Sequence, residues 1–148
     1  MISNIIVDAL VALGLTKNDN LFAEDAKGPK YVVVSATGIT DDSPTLPFVH
    51  HANINILVSG WSKGAAIALA EDICQTVEAM QGQYNYVVSE ALTETYRVDS
   101  VVILNRPTFF KMDNKSVVTI NLRINYNKTL KRTKVISESF GIAMSINK

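Results

Sequence analysis

The residues Gly60-Trp61-Ser62-Lys63-Gly64 fit G-x-S-x-G and sit between an apolar, strand-like run and an Ala-rich, helix-like run. In serine hydrolases that pattern holds a nucleophilic Ser on a tight strand-to-helix turn. The chemistry needs two more groups, a His to take the Ser proton and a carboxylate to orient the His. The chain has two histidines, His50 and His51, and both precede Ser62. In α/β-hydrolases the order is Ser, acid, His, although another fold could use another order. The strand before Ser62 also alternates polar with apolar residues, whereas a buried parallel strand is almost wholly apolar. The competing reading makes Ser62 a helix N-cap, with Gly60 and Gly64 easing the turn. On that reading Ser62→Ala costs only a cap, about 1 kcal/mol.

Other reactive residues are sparse. His50 and His51 are neighbours, so along a strand they point to opposite faces and cannot share a metal easily. There is no H-x-x-x-H or C-x-x-C, and Cys74 is the only cysteine, so no metal site or intrachain disulfide is expected. The seven glycines are scattered and form no phosphate-binding loop. No cofactor is implied. Asp41 and Asp42 lie in a Ser/Pro-rich stretch and read as solvated turn formers. Lys128, Lys131, Arg132 and Lys134 form a basic cluster. It is either a solvated connector or a surface for an acidic protein or passing DNA. Phe109 and Phe110 face opposite ways on a strand, and the outward one could anchor an interface.

The elements that would position these residues can be read from periodicity. In 148 residues there is room for one domain with a core. Charges balance, 14 Lys+Arg against 14 Asp+Glu, so no overall field draws nucleic acid or an anionic membrane. No apolar run approaches the ~18 residues of a membrane span, and the N-terminus does not read as a signal peptide. Ile2, Ile5, Ile6, Ala9, Leu10 and Leu13 share one helical face, with Gly14 as its stop. Residues 16 to 30 read as polar connection, 31 to 36 as a strand, and 37 to 47 as a loop. Residues 48 to 60 alternate through Ala52, Ile54, Ile56 and Val58, giving a second strand.

The central helix spans 63–81, with a stripe of Ala66, Leu69, Ala70, Ile73, Val77 and Met80. Its other side, Ala65, Ala68, Asp72, Thr76 and Ala79, is mostly small. That reflects helix propensity alone or close approach of a second element or subunit. A polar stretch follows, then a strand over 96–106 ending at Pro107, and a turn at Asp113-Asn114. The next strand, 117–126, carries Val118, Ile120, Leu122, Ile124 and Tyr126 on one face. Residues 128–134 read as a basic connector. Phe140, Ile142, Met144 and Ile146 then alternate as a final strand. The fold class is therefore α+β: a mixed, mostly antiparallel sheet packed against the N-terminal helix and the central helix.

The assembled pattern resembles the tail terminator (tail completion, minor-capsid-like) proteins of long-tailed bacteriophages. The resemblance rests on the N-terminal helix "ISNIIVDALVALG", on "ANINILVSG" running into "AAIALAEDICQTVEAM", and on "NRPTFFKMDNKSVVTINLRINY". It covers residues 1–127 as one domain. Residues 128–148, the connector and last strand, belong to that domain or form a subunit-crossing arm. The resemblance implies a structural virion protein and no enzyme. It implies a six-fold ring that caps the tail tube, stops its polymerisation and forms the joining surface to the head. The implied partners are further copies of itself, the tail tube protein, a head connector or head-completion protein, and DNA passing through the lumen without sequence recognition. No membrane is implied. The location would be the head–tail junction of a virion assembled in the host cytoplasm.

In that ring Trp61, Ala65, Ala68, Asp72, Phe109 and Phe110 are candidate interface residues. Lys128, Lys131, Arg132 and Lys134 are candidate lumen or partner-facing residues. The rival expectations are another head–tail connector, a tail tube protein, a ligand-binding α+β module, or a small hydrolase using Ser62. Tube proteins tend to use long β-hairpins, and the strong central helix argues against that one.

Overall fold

Period-two burial builds the sheet from its middle outward. A computed structural model describes residues 1–41, 49–112 and 114–132. The longest two strands, β5 (Leu92–Met112) and β6 (Lys115–Arg132), pair antiparallel about a tight turn. On β6, Val118, Ile120, Leu122, Ile124 and Tyr126 are all buried, as their alternation predicts. β3 (Val49–Ser59) pairs antiparallel along the other side of β6, and buries Ala52, Ile54, Ile56 and Val58 on the same face. β2 (Tyr31–Asp41) follows, antiparallel to β3, and β1 (Leu21–Ala23) closes that side in parallel. β4 (Gly82–Ser89) lies beyond β5. The strand order is β1-β2-β3-β6-β5-β4.

Both helices cover one face. α1 (Ile2–Leu10) packs over β1 and β2, and α2 (Lys63–Glu78) over β3, β6 and β5. Most of each predicted stripe is buried, Ile2, Ile5, Ile6 and Leu10 on α1 and Ala66, Ala70, Ile73 and Val77 on α2, while Ala9, Leu13 and Leu69 are half-buried and Ser3 and Val7 are buried outside the α1 stripe. A 3-10 turn carries α1 on to Leu13, and Gly14 ends it at φ 89°, its N–H donated to the Val11 carbonyl. The α+β class with a mostly antiparallel sheet and two packed helices is the observed architecture.

Several local expectations change. β1 and β4 were expected as polar connections. β1 is only three residues, but Leu21 and Phe22 are both buried. β4 carries Tyr84 and Tyr86 against the core edge, alternating with Gln83 and Asn85, a half-buried strand written mostly in polar letters. β2 runs past the expected loop start to Asp41, bent by a register shift at Ala36/Gly38. Beyond the short β1, Glu24 takes over pairing of β2. Its N–H is donated to the Val34 carbonyl, and its carboxylate accepts the Ala36 N–H at 3.0 Å. β5 passes through Pro107 instead of stopping, with register shifts between Ile103 and Thr108. The expected basic connector begins as strand: β6 continues unbroken to Arg132. The rest of the loop around Asp42 and the predicted strand at 140–146 lie outside the described residues.

The two glycines of the G-x-S-x-G match have different environments. Gly60 has φ 100°, and a Cβ there would collide with the Pro29 carbonyl oxygen and come within 2.7 Å of Lys30 Cα. Gly64 sits in the first turn of α2 with open space around it. Gly60→Ala should therefore cost more than about 2 kcal/mol, from positive φ plus overlap with backbone. Gly64→Ala should be neutral or stabilise by about 0.5 kcal/mol. Thermal or denaturant melts of the two variants check this contrast.

Candidate functional site

The junction after β3 turns on close backbone contact. Gly60 donates its N–H to the Ser116 carbonyl at 3.2 Å and packs on the Pro29–Lys30 backbone. Trp61 follows, half-buried against the core, with the Lys30 ammonium 5.0 Å from its ring centroid. Ser62 occupies the N-cap position of α2, and its carbonyl accepts the Ala66 N–H at 2.7 Å. Its side chain makes no capping hydrogen bond, which corrects the expected role. Ser62 is exposed, so water can serve the first-turn N–H groups instead.

Distance separates Ser62 from both histidines. His50 and His51 begin β3, and Ser62 follows its other end. Eight residue-to-residue steps, from His51 to Ser59, separate them by roughly 26 Å at ~3.3 Å each. A general base must lie within hydrogen-bond reach of the nucleophile. The two histidines are half-buried, not exposed as strand-end residues would be. His50 lies against Tyr126, with ring centroids 5.5 Å apart. His51 occupies the next position, opposite Asn125, on the other sheet face. Among the described residues, no three His, Cys, Asp or Glu side chains converge to hold a metal ion.

Four of the sequence-chosen interface residues do come together. Trp61, Ala65, Ala68 and Asp72 line one open groove of about 490 Å³, whose far wall is Leu13 and Leu15 after α1. The small residues on α2 leave that space, since their side chains are short and exposed. Phe109 and Phe110 are elsewhere and split as expected. Phe109 packs against the core beneath the Lys63 ammonium, 5.0 Å from its ring centroid. Phe110 faces the other way and is exposed.

Of the basic cluster, the Lys128 side chain is the one described. Lys128 is committed to an internal ion pair, its ammonium 3.2 Å from Glu94 Oε2. Lys131 and Arg132 lie on β6 opposite Thr93 and Leu92, while Lys134 falls outside the described residues. Glu94 is the centre of a polar knot that sequence reasoning missed. Its Oε1 accepts the Tyr96 hydroxyl at 2.7 Å and the Met1 ammonium at 3.0 Å. Tyr96 is fully buried and stacks at a tilt on Tyr126, 5.7 Å between centroids. Burial pushes the Glu94 carboxyl up, but the donors from Tyr96, the N-terminus and Lys128 outweigh that and hold it below its ordinary value. Burial and the bond to Glu94 push the Tyr96 hydroxyl well up, so it stays a donor. The period-two run Tyr96, Val98 marked a strand, but nothing local marked Glu94 and Lys128 as cross-strand partners.

No protein-family model matches the chain, and no curated protein matches it. Its fold is similar to that of a solved chain described as "Virion of native gene transfer agent (GTA) particle", at a TM-score of 0.58 and 15% sequence identity. The match covers 84% of this chain and 93% of that one. At this identity the likeness is one of fold.

Three outcomes follow from this geometry. With no cap bond to lose, Ser62→Ala should change stability by no more than about 0.5 kcal/mol, read in a urea melt. A fluorophosphonate probe should leave Ser62 unlabelled, and stoichiometric labelling would restore the enzyme reading. Glu94→Gln should cost about 1–3 kcal/mol at neutral pH through weakened charge-assisted bonds. Because the folded Glu94 value is depressed, its contribution is present above the unfolded carboxyl value, near 4.5, and is lost as pH falls through the folded one. The variant's stability profile should therefore be flatter below about pH 4.5 than the wild type's.

Proposed function

We propose that this chain is a structural virion protein that acts as a tail terminator. In this reading six copies close into a ring on the finished tail tube, at the head–tail junction. The ring blocks further addition of tube protein and offers its other side to the head connector. DNA passes through the lumen without being read. The observation that carries the proposal is the shared fold: 93% of a chain from a gene transfer agent virion matches 84% of this one at a TM-score of 0.58. The order of landmarks in the sequence supports the same reading independently. The chemistry is compatible with it, because both histidines lie far from Ser62 and no metal-ligating cluster occurs among the described residues.

A ring built by rotation needs two different, complementary surfaces on each copy. The candidates are the Trp61, Ala65, Ala68 and Asp72 groove, the exposed Phe110 near the β5–β6 turn, with Phe109 behind it, and the sheet edges. Lys131, Arg132 and Lys134 are assigned to the lumen or a partner surface. Lys128 contributes there only through the part of its side chain left exposed, since its ammonium is held by Glu94.

The direct test adds purified chain to polymerising tail tube protein and measures tube length by negative-stain microscopy. The expected result is tubes capped by a ring and arrested in length. Tubes of unchanged length, with the chain remaining monomeric and unbound, would overturn the proposal.

A further inference from the structure

Two unpartnered surfaces lie on opposite sides of the fold. The first is the groove of about 490 Å³ between α2 and the turn after α1, on the helix-covered side of the sheet. Along α2, Trp61, Ala65 and Ala68 give it an apolar wall, and Asp72 stands at the far end. Asp72 is exposed and makes no ion pair among the described residues. Lys30, also in the lining, sits over the Trp61 ring at the other end. The second surface is the β5–β6 turn. Phe109 packs toward the core, so Phe110 and Met112 share the opposite side of the strand. Phe110 is 36% exposed and Met112 is 47% exposed. Lys115 pairs with Met112 across the turn and so stands on their side. It too is exposed, with no ion pair among the described residues.

We propose that the β5–β6 turn of one copy docks in this groove on a second copy, with Phe110 and Met112 against Ala65 and Ala68 and Lys115 paired with Asp72. Charge and spacing select that occupant. The turn carries a cation beside two apolar side chains, and the groove carries an anion at the end of an apolar wall. Ala65 and Asp72 are seven helical rises apart, roughly 10 Å. Phe110 and Lys115 are two strand steps and one strand spacing apart, roughly 8 Å, and the flexible lysine side chain spans the difference. Lys30 is held over Trp61, away from the Lys115 end. The short side chains at 65 and 68 leave the room that two large ones need, and docking takes the exposed parts of Phe110 and Met112 out of water.

A chain's own turn cannot fill its own groove. The turn is held by strand pairing as far as Met112 and Lys115. Its apolar side chains point away from the helix layer, and the groove lies in that layer. The contact therefore joins the helix side of one copy to the sheet side of the next. That is the head-to-tail sense a closed ring requires. The inference rests on the self-association in the tail-terminator reading and says which two surfaces meet.

Exchange of charge between full-length copies tests the contact. Asp72→Lys and Lys115→Asp each set like charges against one another. Each variant alone should self-associate at least about tenfold more weakly than the wild type, read by sedimentation equilibrium. A 1:1 mixture should recover wild-type association, because each variant's groove then meets the opposite charge on the other's turn. The double variant Asp72→Lys/Lys115→Asp should recover it alone. Both positions are exposed, and circular dichroism checks that every variant folds. Single variants that associate as the wild type does overturn the proposal, as they would if the groove holds the chain's own residues after Arg132 or a different protein. A mixture that fails to recover overturns it, and so does a wild type that is monomeric at every concentration. No tail tube is present, so this contact can fail while tube capping stands, and the reverse.

Discussion

The pairing of β6 with β5 is the constraint on which the other elements depend. It is the longest ladder in the sheet, and its buried residues, Val118 to Tyr126, form the floor on which α2 rests. β3 and β4 are both shorter than this pair, and each covers a different part of it. β3 flanks β6 from Val117 to Asn127, toward the turn. β4 flanks β5 only from Leu92 to Val98, at the far end. The mismatch leaves β4, β5 and the end of β6 as a three-stranded extension on one side, and on the other a β5 edge that no described strand pairs beyond Val98. The polar knot of Glu94, Tyr96 and Lys128 secures the extension across strands that β3 does not reach. Charge-assisted bonds in a partly buried site give that anchor its strength.

The same geometry explains why a G-x-S-x-G pattern occurs at this junction with both histidines far from Ser62. Chain direction must reverse between the end of β3 and the start of α2, over the backbone of residues 29 and 30. Gly60 is required there by positive φ and by the contact with Pro29 and Lys30. Trp61 then closes the core edge under Lys30. Ser62 occupies the N-cap position of the helix, and its hydroxyl makes no capping hydrogen bond. A strand-to-helix reversal in close quarters selects for glycine whether or not a nucleophile sits beside it.

Much of this was legible in the sequence where one face is buried and the other is not. The alternation of β3 and β6 and the stripes of α1 and α2 gave both identity and orientation, because burial imposes the period. β4 was harder, since Tyr84 and Tyr86 are separated by amides and the apolar count is low. β1 was shorter than any window that detects alternation. The passage of β5 through Pro107 depended on bulges, which are absorbed by the partner strand and leave no local signature. The groove of Trp61, Ala65, Ala68 and Asp72 could be anticipated, because small residues on one helix face predict space. The Glu94–Lys128 pair could not, because it joins positions related only by strand register. Nearness in sequence groups Lys128 with Lys131 and Arg132, and it gives no sign of the Glu94 partner that the fold brings to Lys128.

In the proposed reading this chain works by assembly on a tail tube, through surfaces and not through an active site. The most direct measurement counts copies at tube ends, by tagging the chain and determining stoichiometry from images of purified tubes. The account predicts six copies as a ring at one end of each tube and none along the wall. Binding along the wall, or no binding at either end, would contradict it.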